Sequence, residues 1–303
     1  MLIGVVGKPN TGKSTFFKAA TLAEVEIANY PFATIKPNSG VGYVKVKDAA
    51  REFGKTSNPR SGYVLQEFRF VPVQMLDVAG LVPGAYQGLG MGNQFLDDLR
   101  QADALIHIID ISGSTNEKGE IVSSGSYDPA EDVKFLEVEL DMWYLGIIKK
   151  GWEKFARTVI QEKQEIQIAL GKQLSGLKVQ EKMIEDAISV LGLEKEKPHL
   201  WTETELKNLA VFLRKLTKPM LIACNKIDVP GAEKNFERLK LQFPAYDFVP
   251  CSAESELALR EAAKAGLIEY VPGEKIFALV QEDNLNGRQK QALSYIQNSI
   301  LTP

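Results

Sequence analysis

Cysteine and histidine are scarce in this chain, and each shortage closes off a class of chemistry. Two cysteines in 303 residues, Cys224 and Cys251, are too few for a disulfide framework and too far apart for a zinc site, which points to a reducing compartment. Two histidines, His107 and His199, leave little for imidazole catalysis, and His107 inside an apolar run reads as a satisfied core histidine. An excess of one charge is missing too. The 36 basic and 39 acidic side chains leave a net charge of −3, so no polycationic surface announces nucleic acid or anionic membrane, and any RNA contact has to be local. No apolar run approaches a membrane span, and a strand starting at residue 2 leaves no room for a leader. The expectation is a soluble, cytoplasmic protein, long enough for two domains.

The chain is organised around Gly7-Lys8-Pro9-Asn10-Thr11-Gly12-Lys13-Ser14. This stretch follows the apolar run Leu2-Ile3-Gly4-Val5-Val6 and precedes Thr15-Phe16-Phe17, so a buried strand turns through glycines into a helix. Such a turn is a phosphate cradle. Its backbone N–H groups and helix dipole face an anion, Lys13 can reach the terminal phosphates, and the Ser14 hydroxyl can ligate Mg²⁺. A second strand, Phe70 to Leu76, ends at Asp77-Val78-Ala79-Gly80. There Asp77 is placed to hold Mg²⁺, often through water, and the Gly80 N–H to sense a γ-phosphate. The glycine-rich run from Pro83 to Gly92 follows directly and reads as a switch segment.

The third motif is Asn225-Lys226-Ile227-Asp228, after the apolar strand Pro219 to Cys224. Guanine offers N1–H and an exocyclic amine on one edge, and the Asp228 carboxylate can accept from both. Adenine presents a lone pair at N1 and would leave the carboxylate unpaired, a penalty of about 1–3 kcal/mol. Asn225 would brace the loop and contact the base, and the stem of Lys226 would lie over the ring. A further strand, Asp247 to Cys251, leads to Ser252-Ala253, where a backbone N–H near Ala253 would meet the guanine carbonyl.

Between these motifs the sequence becomes helical. The Gly- and Ser-rich stretch from Ser112 to Tyr127 marks a boundary, and Asp128-Pro129-Ala130-Glu131 starts a helix with an Asp cap and a capping-box Glu. Apolar spacing of three and four runs through Val133, Leu136, Leu140, Trp143 and Ile147, and again from Leu206 to Leu216. Stretches 152–174 and 179–191 have the same period, and Thr202 to Glu205 caps the last helix. The domain reading is 1–127 and 218–303 as two parts of one α/β domain, with 128–217 inserted as helical hairpins in a short antiparallel coiled coil.

Gly7 to Ser14, Thr34, Asp77 to Gly80, Asn225 to Asp228 and Ser252-Ala253, in this order, resemble the five signature motifs of P-loop GTPases of the translation-factor class. Tyr30-Pro31-Phe32-Ala33-Thr34, Asp77 to Ala85 and Gly90-Met91-Gly92-Asn93-Gln94-Phe95-Leu96 resemble the Obg superfamily more narrowly, and the helical insertion resembles its YchF branch. The resemblance implies a P-loop NTPase fold: a Ras-like G domain with a doubly wound, mostly parallel sheet. It implies that Lys13, Thr34 and Gly80 act on the transferred phosphate. Nucleotide contacts would come from Asn10, Thr11, Gly12, Lys13, Ser14, Thr15, Asn225, Lys226, Asp228, Ser252 and Ala253, and Mg²⁺ would be held by Ser14, Thr34 and Asp77.

Two further implications concern turnover. Leu81 stands where many GTPases carry a water-orienting Gln, so slow hydrolysis of GTP to GDP and phosphate is expected. In related GTPases an Asn at the position of Asn10 helps bind K⁺. YchF proteins commonly alter the base-reading motif and favour ATP, whereas this chain keeps Asn225 to Asp228. A GTPase switch acting at the ribosome, or on ribosome-associated RNA or protein, is therefore the expected function. The alternatives are a YchF-type ATPase and a nucleotide-gated, non-enzymatic adaptor working through the helical arm. The family usually ends in a small β-rich TGS domain, and the sequence to Pro303 closes instead on a helix-like stretch from Arg288 to Ile300.

Overall fold

A computed structural model describes residues 1–22, 38–78 and 98–301. Six strands carry the sheet: β1 (Leu2–Val6), β2 (Ser39–Lys47), β4 (Phe68–Asp77), β5 (Ala104–Asp110), β6 (Met220–Asn225) and β7 (Asp247–Pro250), with the short β3 (Tyr63–Leu65) beside β4. Their order is β2-β4-β1-β5-β6-β7. All neighbours run parallel except β2 and β3, which are antiparallel to β4. The β1, β5 and β6 sequences are near-continuous apolar runs because helices cover both faces, and Val5, Val6, Ile108, Ile109, Ile222 and Cys224 are fully buried. Pro72 is tolerated within β4 because pairing with β1 begins only at Gln74.

Register positions the site. Val5 lies opposite Asp77, Val6 opposite His107, and Asp110 opposite Asn225, so the carboxyl ends of four strands finish on one edge of the sheet. The cradle leaves β1 at this edge and enters α1 (Lys13–Thr21).

Five helices fill residues 130–217: α2 (Ala130–Lys149), α3 (Trp152–Gln161), α4 (Ile166–Gln173), α5 (Glu181–Leu191) and α6 (Glu203–Thr217). The last carries the expected cap, a reciprocal box between Thr202 and Glu205. The periodic stretch 152–174 is broken rather than continuous. Gly151, Lys163, Lys178 and Gly192 all take positive φ, and these turns divide the segment into helices of 8 to 11 residues between the longer α2 and α6, too short for sustained heptads. At the start of α2, Asp128 accepts from the Ala130 N–H at 3.0 Å, while Glu131 pairs with Lys134 and closes no capping box.

The helical segment shares its core with the sheet. Leu136, Leu140, Tyr144, Leu209 and Leu213 belong to one cluster with Val6, Leu76, Val78, Leu99 and Leu105, and the first turn of α2 packs Ala130 and Val133 against Ile109 and Ile222. A buried lysine ties the pieces. Lys218, just after α6, donates to the carbonyls of Arg100 and Ala102 at 3.2 and 2.5 Å, and burial lowers its pKa to about 8. Beyond β6 come α7 (Ala232–Gln242) and α8 (Ala253–Lys264). A β8 (Ile268–Tyr270) and β9 (Phe277–Leu279) hairpin and α9 (Gly287–Ile296) then build a small core on α8 through Leu259, Tyr270 and Leu293. Among the described residues no helix is long and apolar enough to cross a membrane.

His107 is buried as expected but is not satisfied. Its Nδ1 has no hydrogen-bond partner among the described residues, and burial, with the Lys8 ammonium nearby, lowers its pKa to about 3. Between pH 6.5 and 3 the unfolded chain binds a proton that the folded chain refuses, so stability falls as pH falls, by up to about 1.4 kcal/mol per unit. Urea unfolding at pH 5 and pH 8 should show this slope reduced in His107→Leu.

Candidate nucleotide-binding site

The cradle owes its shape to residues that no side chain can replace. A Cβ on Gly7 would stand 2.6 Å from the Ile108 carbonyl oxygen. Gly12 caps α1 at φ 89°, and a Cβ there would stand 2.1 Å from Asn225 Nδ2. Asn10 also takes the left-handed region, at φ 62°. The first intrahelical bond runs from Phe16 N–H to Gly12 O, so the N–H groups of Lys13, Ser14 and Thr15 have no partner within the helix and can serve an anion. Thr11 is fully buried and donates its hydroxyl to Lys8 O at 3.0 Å, which makes it a brace of the loop.

Lys13 and Asp77 meet. The Lys13 ammonium is ion-paired with the Asp77 carboxylate, bringing the start of α1 to the end of β4. Among the described residues no three His, Cys, Asp or Glu side chains gather as a metal cage. One carboxylate and one serine hydroxyl beside a phosphate cradle is instead the oxygen donor set that suits Mg²⁺, which binds through few protein groups plus phosphate and water. Asp77 and Ser14 would hold it. Thr34, Gly80 and Leu81 lie outside the described residues.

On the base side, one amide joins three motifs. Asn225, 4% exposed, donates from Nδ2 to Thr11 O at 2.8 Å and accepts on Oδ1 from Ala253 N–H at 2.9 Å. The Ala253 N–H itself is thus bonded to Asn225, because the Ser252-Ala253 turn folds back onto the end of β6. Ser252 bonds Ser255 at 2.9 Å. Asp228 is half-buried at the wall of a 680 Å³ cavity that Phe16, Ser252, Ala253, Arg260 and Leu301 also line. Lys226 donates to Asp110 at 2.8 Å and to Ser114 at 3.3 Å, which anchors its head and leaves its stem for a ring face. Burial would raise the Asp110 pKa, but bonds from Lys226, Ser112 and Ser114 outweigh it and hold the carboxyl below the usual range. Cys224 and Cys251 are free thiols, and burial pushes Cys251 up to about 12, so both stay protonated and unreactive.

Several residues of the site escape a sequence reading. Asp110 repeats the pattern of Asp77, a carboxylate at the end of a buried strand, and that signal was there to be used. Lys8, Gly119, Tyr127 and Asp132 carry none. Within the stretch from Ser112 to Tyr127, which precedes the helical segment, Thr115 and Ile121 form a β-bridge, and the stretch lies against the cradle.

Sheet order, cradle and base-reading loop together define a P-loop nucleotide-binding domain of the GTPase kind. Residues 2–137 match the 50S ribosome-binding GTPase family, and residues 223–303 match the Obg-like GTPase YGR210-like, G4 motif-containing domain. A GTP-binding protein of Methanocaldococcus jannaschii is 50% identical over 98% of this chain and 74% of its own length. The ribosome-binding ATPase YchF of Mycoplasma genitalium is 35% identical over 73% of this chain and 55% of its own. The crystal structure of a GTP binding protein from Pyrococcus horikoshii superposes with a TM-score of 0.77 at 36% identity, over 99% of this chain and 75% of that one. The chain belongs to the Obg-like GTPases, on their YchF-related branch.

Proposed function

We propose that the protein binds guanine nucleotide with Mg²⁺ and slowly hydrolyses GTP to GDP and phosphate, as a switch whose nucleotide state is read at the ribosome. The observation that carries this reading is the Asn225 amide, which bonds both the cradle at Thr11 and the turn at Ala253 and so supports a fixed spacing between the cradle and the Asn225 to Asp228 loop. Bound Mg²⁺ would neutralise charge on the phosphate oxygens. Lys13 contributes a second positive charge, and the first-turn N–H groups of α1 orient the phosphate chain. Leu81 cannot orient water by hydrogen bonding, which supports a low intrinsic rate. Asn10 donates Nδ2 to Gly119 O at 2.9 Å, which leaves Oδ1 as the end that would meet K⁺. Equal hydrolysis rates in K⁺ and Na⁺ would remove that part of the reading. The ribosomal role rests on the names of the relatives.

The same names favour one rival, an ATPase. Titration of GTP and ATP with Mg²⁺, in the wild type and in Asp228→Ala, separates the two. GTP is expected to bind at least tenfold tighter, about 1.4 kcal/mol or more, and the substitution to erase the difference. ATP binding as well as GTP in the wild type would make the protein an ATPase.

A further inference from the structure

Lys8 sits in the phosphate cradle, yet its ammonium does not face phosphate. It is 5% exposed, stacks over the Tyr127 ring at 3.8 Å, donates to Thr115 O at 2.9 Å and pairs with Asp132 at 2.8 Å. Tyr127 completes the cluster by donating its hydroxyl to Asp132 at 2.9 Å. Burying this ion pair carries a desolvation penalty on each charge, which a cradle residue on the surface would not incur. Two further contacts join the cradle to the same loop. The Asn10 side chain donates to Gly119 O, and Gly119, at φ 80°, is pressed so close to Pro9 that a Cβ would stand 2.7 Å from the Pro9 carbonyl oxygen.

The loop that makes these contacts is itself braced. Ser112 and Ser114 donate to Asp110, Val122 N–H to Ser114 O, and Gly125 N–H to Ser112 O. Its Gly119 end holds Pro9 and Asn10, while its Ser114 end holds Lys226. Thr115 O, next to Ser114, also holds Lys8, so the loop grips the phosphate cradle at two places, Thr115 and Gly119, and Lys226 at Ser114.

We infer that the 112–127 loop is a positioning element for the phosphate cradle, with Lys8, Asp132 and Gly119 setting affinity for the phosphate chain and leaving base selection to Asp228. This inference rests on the guanine-nucleotide reading above. Its test is titration of GDP and ADP against wild type, Gly119→Ala and the double variant Lys8→Met, Asp132→Leu, with folding followed by circular dichroism and thermal unfolding. The double variant replaces the buried pair with apolar groups, so it keeps the core filled if Gly119→Ala does not fold. The expected result is a loss of GDP affinity of at least tenfold, with the GDP-to-ADP ratio kept within twofold. GDP affinity unchanged in a folded variant overturns the inference, as does a collapse of the ratio along with affinity. Wild type that fails to prefer GDP overturns the functional reading instead, while the tenfold loss can still be read on whichever nucleotide binds.

Discussion

Gly12→Ala is expected to abolish nucleotide binding, with a loss of at least a hundredfold in GDP affinity by fluorescence titration. Two independent penalties meet at this position. An alanine held at φ 89° costs roughly 1–2 kcal/mol in backbone strain. The new Cβ also cannot coexist with Asn225 Nδ2 at 2.1 Å, so the amide has to leave. When it leaves, Thr11 O and Ala253 N–H lose their partner in a buried place, at about 1–3 kcal/mol each. The cradle and base-reading loop then no longer hold a fixed spacing. Binding retained within threefold would show that Asn225 does not couple the two halves.

Arg214→Met should destabilise the fold by about 3 kcal/mol in denaturant unfolding. Arg214 is 1% exposed at the end of α6, and its guanidinium meets Asp141 at 2.7 Å and Glu137 at 3.6 Å on α2. It also donates to the Tyr246 hydroxyl at 3.3 Å, just before β7, and Tyr246 in turn donates to Glu137. Methionine fills the space but leaves two carboxylates facing a buried wall with no cation. Their partial exposure keeps the cost at the lower end of what breaking a buried pair commonly brings. The exposed pair Lys149–Glu203 serves as the contrast, and Lys149→Ala should leave the unfolding midpoint unchanged. A similar midpoint for both variants would mean that the Arg214 network does not join the helices to the sheet.

What the sequence made legible is what local rules dictate. An apolar run, glycines and Lys-Ser specify a strand, a cradle and a helix, Asp77 declares itself by ending β4, and Asp228 by its place in Asn-Lys-Ile-Asp just after β6. The helical block was legible as helix, but the break at Lys163 was not. A lysine is an ordinary helix former, and its left-handed φ comes from the turn that packs α3 against α4. The contacts of the 112–127 loop are illegible for a related reason: glycine and serine in a run mark a boundary, whereas two groups that hold this loop, Lys8 and Lys226, lie 107 and 112 residues from the atoms they bond. Sequence shows the backbone donors near Ala253 without showing that Asn225 Oδ1 accepts from one of them, the Ala253 N–H. The β8–β9 hairpin is three residues on each side, below what alternation can signal.

Helix α2 begins with Asp132 gripping the cradle through Lys8 and runs without a break to Lys149. Twenty residues of α-helix form a rod of about 30 Å. One core holds this rod, α3 to α6 and the sheet together, so the surface about 30 Å from the cradle and the cradle itself belong to one continuously packed body.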